Sequence, residues 1–193
     1  MQKEQPYHKV NVYTGTRGAS VIAKDESDVS RFVNFIRKAE RPLLVIGAQT
    51  TKSNGLGRPL GDYAIEMAQA AHLPICATAH SQKFLVEKGI FPASNYDLVE
   101  ILNFLKKENW KGVEGKGNHA LVIFLGFRSD LLEQGLSTLM HFAPYLKTMT
   151  LDNYVHPHAN YSLPNFVKVE KWKQFLDQLI GALKASGEDQ QIH

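Results

Sequence analysis

Residues 41–51 read RPLLVIGAQTT, an unbroken apolar run from Leu43 to Ile46 that stops at Gly47 and turns polar at once. Consecutive apolar residues between a proline and a glycine are the pattern of a parallel strand covered on both faces, because a strand with one wet face alternates instead. The pattern recurs. LPICATAHS (73–81) carries a Pro-led apolar run into a small polar turn, and HALVIFLGF (119–127) runs into Gly126. LKTMTLD (146–152) reads as a fourth strand and FVKVE (166–170) as a fifth.

Helical patterns lie between these runs. Val29, Phe32, Val33 and Ile36 recur at helical spacing behind the cap candidates Asp25, Ser27 and Asp28. Tyr63, Met67 and Ala70 mark a second helix, and Leu98, Ile101, Leu102 and Leu105 a third. SDLLEQGLSTLMHFA (129–143) reads as a fourth helix. Trp172, Phe175, Leu179 and Leu183 give a closing helix. KGVEGKGNH (111–119) reads as a Gly- and Lys-rich connector with little reason to fold by itself. The expected architecture is α/β, a doubly wound and mostly parallel Rossmann-like sheet with helices on both faces. One domain spans 1–193, with 1–26 as an extended lead-in and 186–193 as a flexible tail.

Composition narrows the function classes. The chain has 193 residues, is 44% hydrophobic, and carries a net charge of +3 from 22 basic and 19 acidic residues that are interspersed. No block of charge calls for a nucleic acid, although the basic excess suits an acidic partner. Cys76 is the single cysteine, so neither an internal disulfide nor a four-thiolate cluster can be built from this chain. The N-terminal MQKEQPYHKV lacks a signal-peptide core, and no apolar run reaches the roughly 20 residues of a membrane span. A cytoplasmic protein with no membrane contact is expected.

In open parallel sheets, ligands sit beyond the carboxyl ends of the strands where the strand order reverses. The candidate binding residues are therefore the strand-end positions. Gly47, Ala48, Gln49 and Thr50 offer a close backbone approach and polar donors to a phosphate, or simply a strand-to-helix turn. Thr78, His80 and Ser81 suit a ribose or pyrophosphate, or equally cap the next helix. Gly126, Phe127 and Arg128 offer a glycine turn, a flat ring and a cation. Asp152 stands where dinucleotide folds hold a ribose hydroxyl, but aspartate is common in any turn. His156 and His158 in HPHANYS, without a nearby Glu or Cys in sequence, lack the spacing of a zinc site. No metal is expected, and no acid, base and nucleophile assemble into a catalytic set.

Taken together, RPLLVIGAQTT, LPICATAHS, GNHALVIFLGF and KTMTLDNYVHPHANYSLPNF resemble the epsilon subunit family of the archaeal acetyl-CoA decarbonylase/synthase complex, within its carbon monoxide dehydrogenase component. The likeness runs from Ser27 to Leu183, in order and with similar gaps, and KKENWKGVEGKGN resembles the family's connector before the third strand. The resemblance implies a domain similar to the NAD/FAD-binding domain of deoxyhypusine synthase. It implies an accessory role beside a large alpha subunit that carries nickel-iron and iron–sulfur clusters, in an α2ε2 assembly. FAD is the implied cofactor, held at the strand ends to help electrons from CO oxidation reach it, while the chain's basic excess suits an acidic electron carrier of the ferredoxin type. Two other readings stay open: a purely structural subunit with a vestigial cofactor site, which crowding of the strand edge by HPHANYS would favour, and a free-standing NAD- or FAD-dependent enzyme.

Overall fold

The computed structural model describes residues 21–23 and 28–188. Strands β1 (Val21–Ile22), β2 (Leu43–Ile46), β3 (Ile75–Ala77), β4 (Leu121–Leu125), β5 (Lys147–Thr150) and β6 (Tyr161–Ser162) form one sheet in the order β1-β6-β5-β4-β2-β3. Every pair is parallel. Helices α1 (Val29–Lys38), α2 (Leu60–Ala71), α3 (Ala79–Glu87), α4 (Leu98–Leu105), α5 (Ser129–Phe142) and α6 (Val169–Glu188) complete the fold. No helix among the described residues is long and apolar enough to cross a membrane.

The apolar runs do what their pattern requires. Along β2 and β4 every residue is buried, and successive side chains enter opposite layers. Leu44, Ile46, Ile123 and Leu125 pack with α1, α2 and α6, whereas Leu43, Val45, Val122 and Phe124 pack with α4 and α5. Helices on both faces of a parallel sheet make the doubly wound α/β fold expected from the sequence.

One expectation changes. FVKVE is not a strand: Pro164 precedes it, Val167 is 90% exposed, and Val169 already begins α6. The fifth strand of the run is instead Tyr161–Ser162, which pairs with Met149 and Thr150. Within the lead-in, Val21 and Ile22 pair with this strand; residues 1–20 and 24–27, with the cap candidates Asp25 and Ser27, lie outside the described residues, as do 189–193 of the tail.

The strand order decides where a site could lie. From β2 the chain crosses to β3 on one side, while β4, β5 and β6 extend on the other. The order therefore reverses between β2 and β4, and the turns after these two strands face each other at the switch point.

Candidate functional site

At the switch point the two glycine turns interlock. A methyl group on Gly47 would run into the Gly126 carbonyl and stand 2.7 Å from the Phe127 ring. Gly126 has φ +77, and a methyl there would stand 2.5 Å from Thr50 Cγ2 and 2.9 Å from the Thr50 amide. Only glycine adopts that backbone and that approach without strain.

Contact this close is stabilised by the backbone groups themselves. The Gly47 amide donates to the Leu125 carbonyl at 2.9 Å and the Gln49 amide to the Gly126 carbonyl at 2.8 Å. Ala48–Thr51 winds into a single 3-10 turn. Within it the Thr50 amide and hydroxyl both donate to the Gly47 carbonyl, at 3.1 and 2.6 Å. Ala48 is exposed, and the Gln49 carbonyl accepts from the Lys52 amide and Asn54 Nδ2. On the β4 side, the Gly126 amide donates to Asp152 Oδ1 at 2.9 Å.

The turn after β3 also faces inward. The Ile46 carbonyl accepts from the Thr78 amide at 3.2 Å, Thr78 Oγ1 at 3.1 Å and Ser81 Oγ at 3.1 Å. Ser81 is fully buried and also donates to the Thr78 carbonyl. His80 is exposed beside them. Phe127 packs edge-on against Phe124, and its carbonyl accepts from Tyr154 Oη at 2.9 Å. Arg128 is exposed and pairs with Asp130 at 2.6 Å, which holds the Asp130 carboxyl below its usual range.

Asp152 is 4% exposed. Burial pushes its carboxyl up to about 6, against the opposing influence of His156 and the Gly126 amide. Its second oxygen Oδ2 and His156 Nε2 are both buried without a hydrogen bond, 3.9 Å apart. On the other side of the ring, His156 Nδ1 meets Glu133 Oε2 at 2.8 Å, and Glu133 Oε1 is bound by His158 Nδ1 and, at 3.1 Å, by the His158 amide. Burial opposes ionisation of Glu133, yet the two histidines together hold its carboxyl below the usual range. HPHANYS therefore has the carboxylate partner that its sequence neighbourhood lacks. Glu133 stands on α5, 23 residues before His156, and no local spacing marks it. Among the described residues no group of three or more His, Cys, Asp or Glu is placed to hold a metal ion.

The geometry thus brings Gly47, Gln49, Thr50, Gly126, Phe127 and Asp152 together, with Thr78 and Ser81 at their flank, and leaves Ala48, His80 and Arg128 outside. These residues do not fit a dinucleotide. The amides of Gly47, Gln49, Thr50 and Gly126 already donate within the protein, the hydroxyls of Thr50, Thr78 and Ser81 point at backbone carbonyls, and Asp152 is shut away from any ribose.

Sequence comparison agrees with the resemblance noted above. Residues 2–180 match the profile of the CO dehydrogenase beta subunit/acetyl-CoA synthase epsilon subunit family. The chain belongs to that family. It is 37% identical over 168 residues to the acetyl-CoA decarbonylase/synthase complex subunit epsilon of Methanothermobacter thermautotrophicus, covering 87% of this chain and 90% of that one. It is 42% identical over 136 residues to subunit epsilon 1 of Archaeoglobus fulgidus, covering 70% and 71%. The epsilon subunit of Methanothrix soehngenii is 36% identical over 152 residues, covering 78% and 79%.

Proposed function

We propose that the chain is the non-catalytic epsilon subunit that stabilises the large, cluster-bearing CO dehydrogenase subunit of an acetyl-CoA decarbonylase/synthase complex, in an α2ε2 pairing. Family membership supports its place in the complex. The observation that carries the structural role is the interlock of the Gly47 and Gly126 turns, which fills with protein the place a doubly wound sheet keeps for a ligand. Cys76 is buried in β3, and burial pushes its thiol up. A lone protonated thiol ligates no cluster, so the metals belong to the partner. Crowding of the edge by the His156–Glu133–His158 contacts favours this reading over a flavin relay to ferredoxin.

The test combines two measurements. Mixed with the large subunit, the chain should lengthen the half-life of CO-oxidising activity at elevated temperature, as any partner that binds only the folded state does. Titrated alone with FAD, it should leave flavin fluorescence unquenched. Saturable FAD binding by the isolated chain would restore the flavin reading, and failure to associate with the large subunit would remove the accessory one.

A further inference from the structure

The opposite edge of the sheet, where the strands begin, is built in another way. Residues 106–118, KKENWKGVEGKGN, leave the end of α4 and return to β4 as a loop held by its own bonds, not as a loose connector. Asn118 Nδ2 donates to the Lys107 carbonyl at 2.9 Å, the Gly117 amide to the Lys111 carbonyl at 2.8 Å, and Arg41 Nε to the Asn118 carbonyl at 2.9 Å. His119, 4% exposed, meets the Arg41 carbonyl through Nδ1 at 2.8 Å and accepts the Val113 amide on Nε2 at 3.2 Å. A ladder of rings, Tyr96, Phe104 and Trp110 half-buried and His119 buried, runs beneath it with successive centroids 4.8, 5.3 and 5.7 Å apart.

What this framework displays is positive charge. Lys38 and Arg41 end α1 and enter β2, Lys147 opens β5, and Lys106, Lys107, Lys111 and Lys116 stand on the loop; the acids Glu40, Glu108 and Glu114 lie among them. These seven bases outnumber the three acids by four, more than the +3 of the whole chain. Among the described residues no carboxylate stands at salt-bridge distance from Lys106, Lys111 or Lys147. Ordered loop, ring platform and unneutralised charge together are the features of a pre-organised protein-binding surface.

We propose that this edge is the docking face for an acidic surface of the partner subunit; the inference rests on the accessory-subunit reading. The interspersed glutamates argue for a mixed protein surface rather than a phosphate backbone, which they would repel. The test uses the intact subunit pair and two double variants. Lys107→Glu with Lys111→Glu reverses charge on the loop, and Lys52→Glu with Lys168→Glu does so at the exposed strand-end edge. The first pair should weaken binding of the large subunit at least about tenfold at low salt and flatten its salt dependence, with an unchanged melting midpoint. The second should bind like the wild type. If both double variants bind like the wild type, the docking face lies elsewhere while the accessory role stands. If the wild type binds no large subunit, the accessory reading falls and this inference with it. Wild-type binding to a single-stranded oligonucleotide that is lost in the loop variant, with subunit pairing intact, would replace the protein partner by a nucleic acid.

Discussion

The two edges of this one sheet treat polar groups in opposite ways. At the strand ends, the turns after β2, β3 and β4 are short enough to reach one another, so their amides and hydroxyls pair across turns and little faces outward. At the strand beginnings, a thirteen-residue return from α4 cannot pair with its neighbours throughout. A few interior anchors, Arg41, Asn118 and His119, hold it, and its charges are left to the surface. A fold's customary ligand position is therefore only a place. Whether donors remain there after the turns have packed decides its use.

The largest effect should come from breaking the interlock. Gly126→Ala forces a left-handed backbone on alanine and drives its methyl into Thr50, a cost of about 3–4 kcal/mol from strain and overpacking together. The melting midpoint should fall by roughly 10 °C. Gly115 on the basic loop also has a positive φ, +74, but nothing stands within 4 Å of an added methyl. Gly115→Ala should therefore cost about 1 kcal/mol, the backbone term alone. Equal losses in the two variants, read from urea midpoints, would mean that the strand-end edge has room to spare, and the comparison would fail.

A smaller effect of opposite sign is expected at Asp152. Its folded pKa of about 6 lies above the ordinary carboxylate value, so the folded state binds its proton more tightly than the unfolded chain does. The stability tied to that proton is fully present below about pH 4 and is lost as pH rises through 6. Asp152→Asn keeps an oxygen for the Gly126 amide and adds a donor facing the unpartnered His156 Nε2. The variant should exceed the wild type by about 2–3 kcal/mol near pH 7.5, and the gain should vanish toward pH 4. A variant less stable than the wild type at pH 7.5 would show that His156 and the Gly126 amide stabilise the ionised carboxylate by more than its burial costs.

Much of this molecule could be read before folding it. Leu43–Ile46 and Leu121–Leu125 announce buried strands because both their faces must be apolar, and Gly47 and Gly126 announce their turns. The two-residue strand Tyr161–Ser162 is too short to show a period, while FVKVE alternates convincingly and yet starts a helix. The strand ends were legible as candidate positions but not as a site. That the Gly47 amide would be taken by Leu125, and the Gly126 amide by Asp152, depends on which strands become neighbours. Glu133 escapes for the same reason, since its histidines lie a helix and a strand away. The connector's glycines suggest slackness, and only the fold brings Arg41 and His119 together to remove it.

The smallest effect tests the other side of the comparison, the loop. His119 must be neutral with its proton on Nδ1, because Nδ1 faces the Arg41 carbonyl and Nε2 accepts from Val113. Burial pushes its pKa down, so the folded state binds fewer protons than the unfolded chain. The stability it contributes is complete above the ordinary histidine value near 6.5 and is lost as pH falls below it. Protonation removes the acceptor for the Val113 amide and places a charge in the buried position beside Trp110. Amide-exchange protection at Val113 and Gly117 should therefore hold down to about pH 6.5 and fall only as pH drops below it, while that of β4 stays level. His119→Gln should cost about 1 kcal/mol and show no such pH dependence. In the same acid range the large subunit should bind more weakly, because the lysines would ride on a loop no longer ordered in advance. Protection that stays level across this range would leave the basic charges without a rigid frame, and the contrast between the two edges would reduce to one of charge alone.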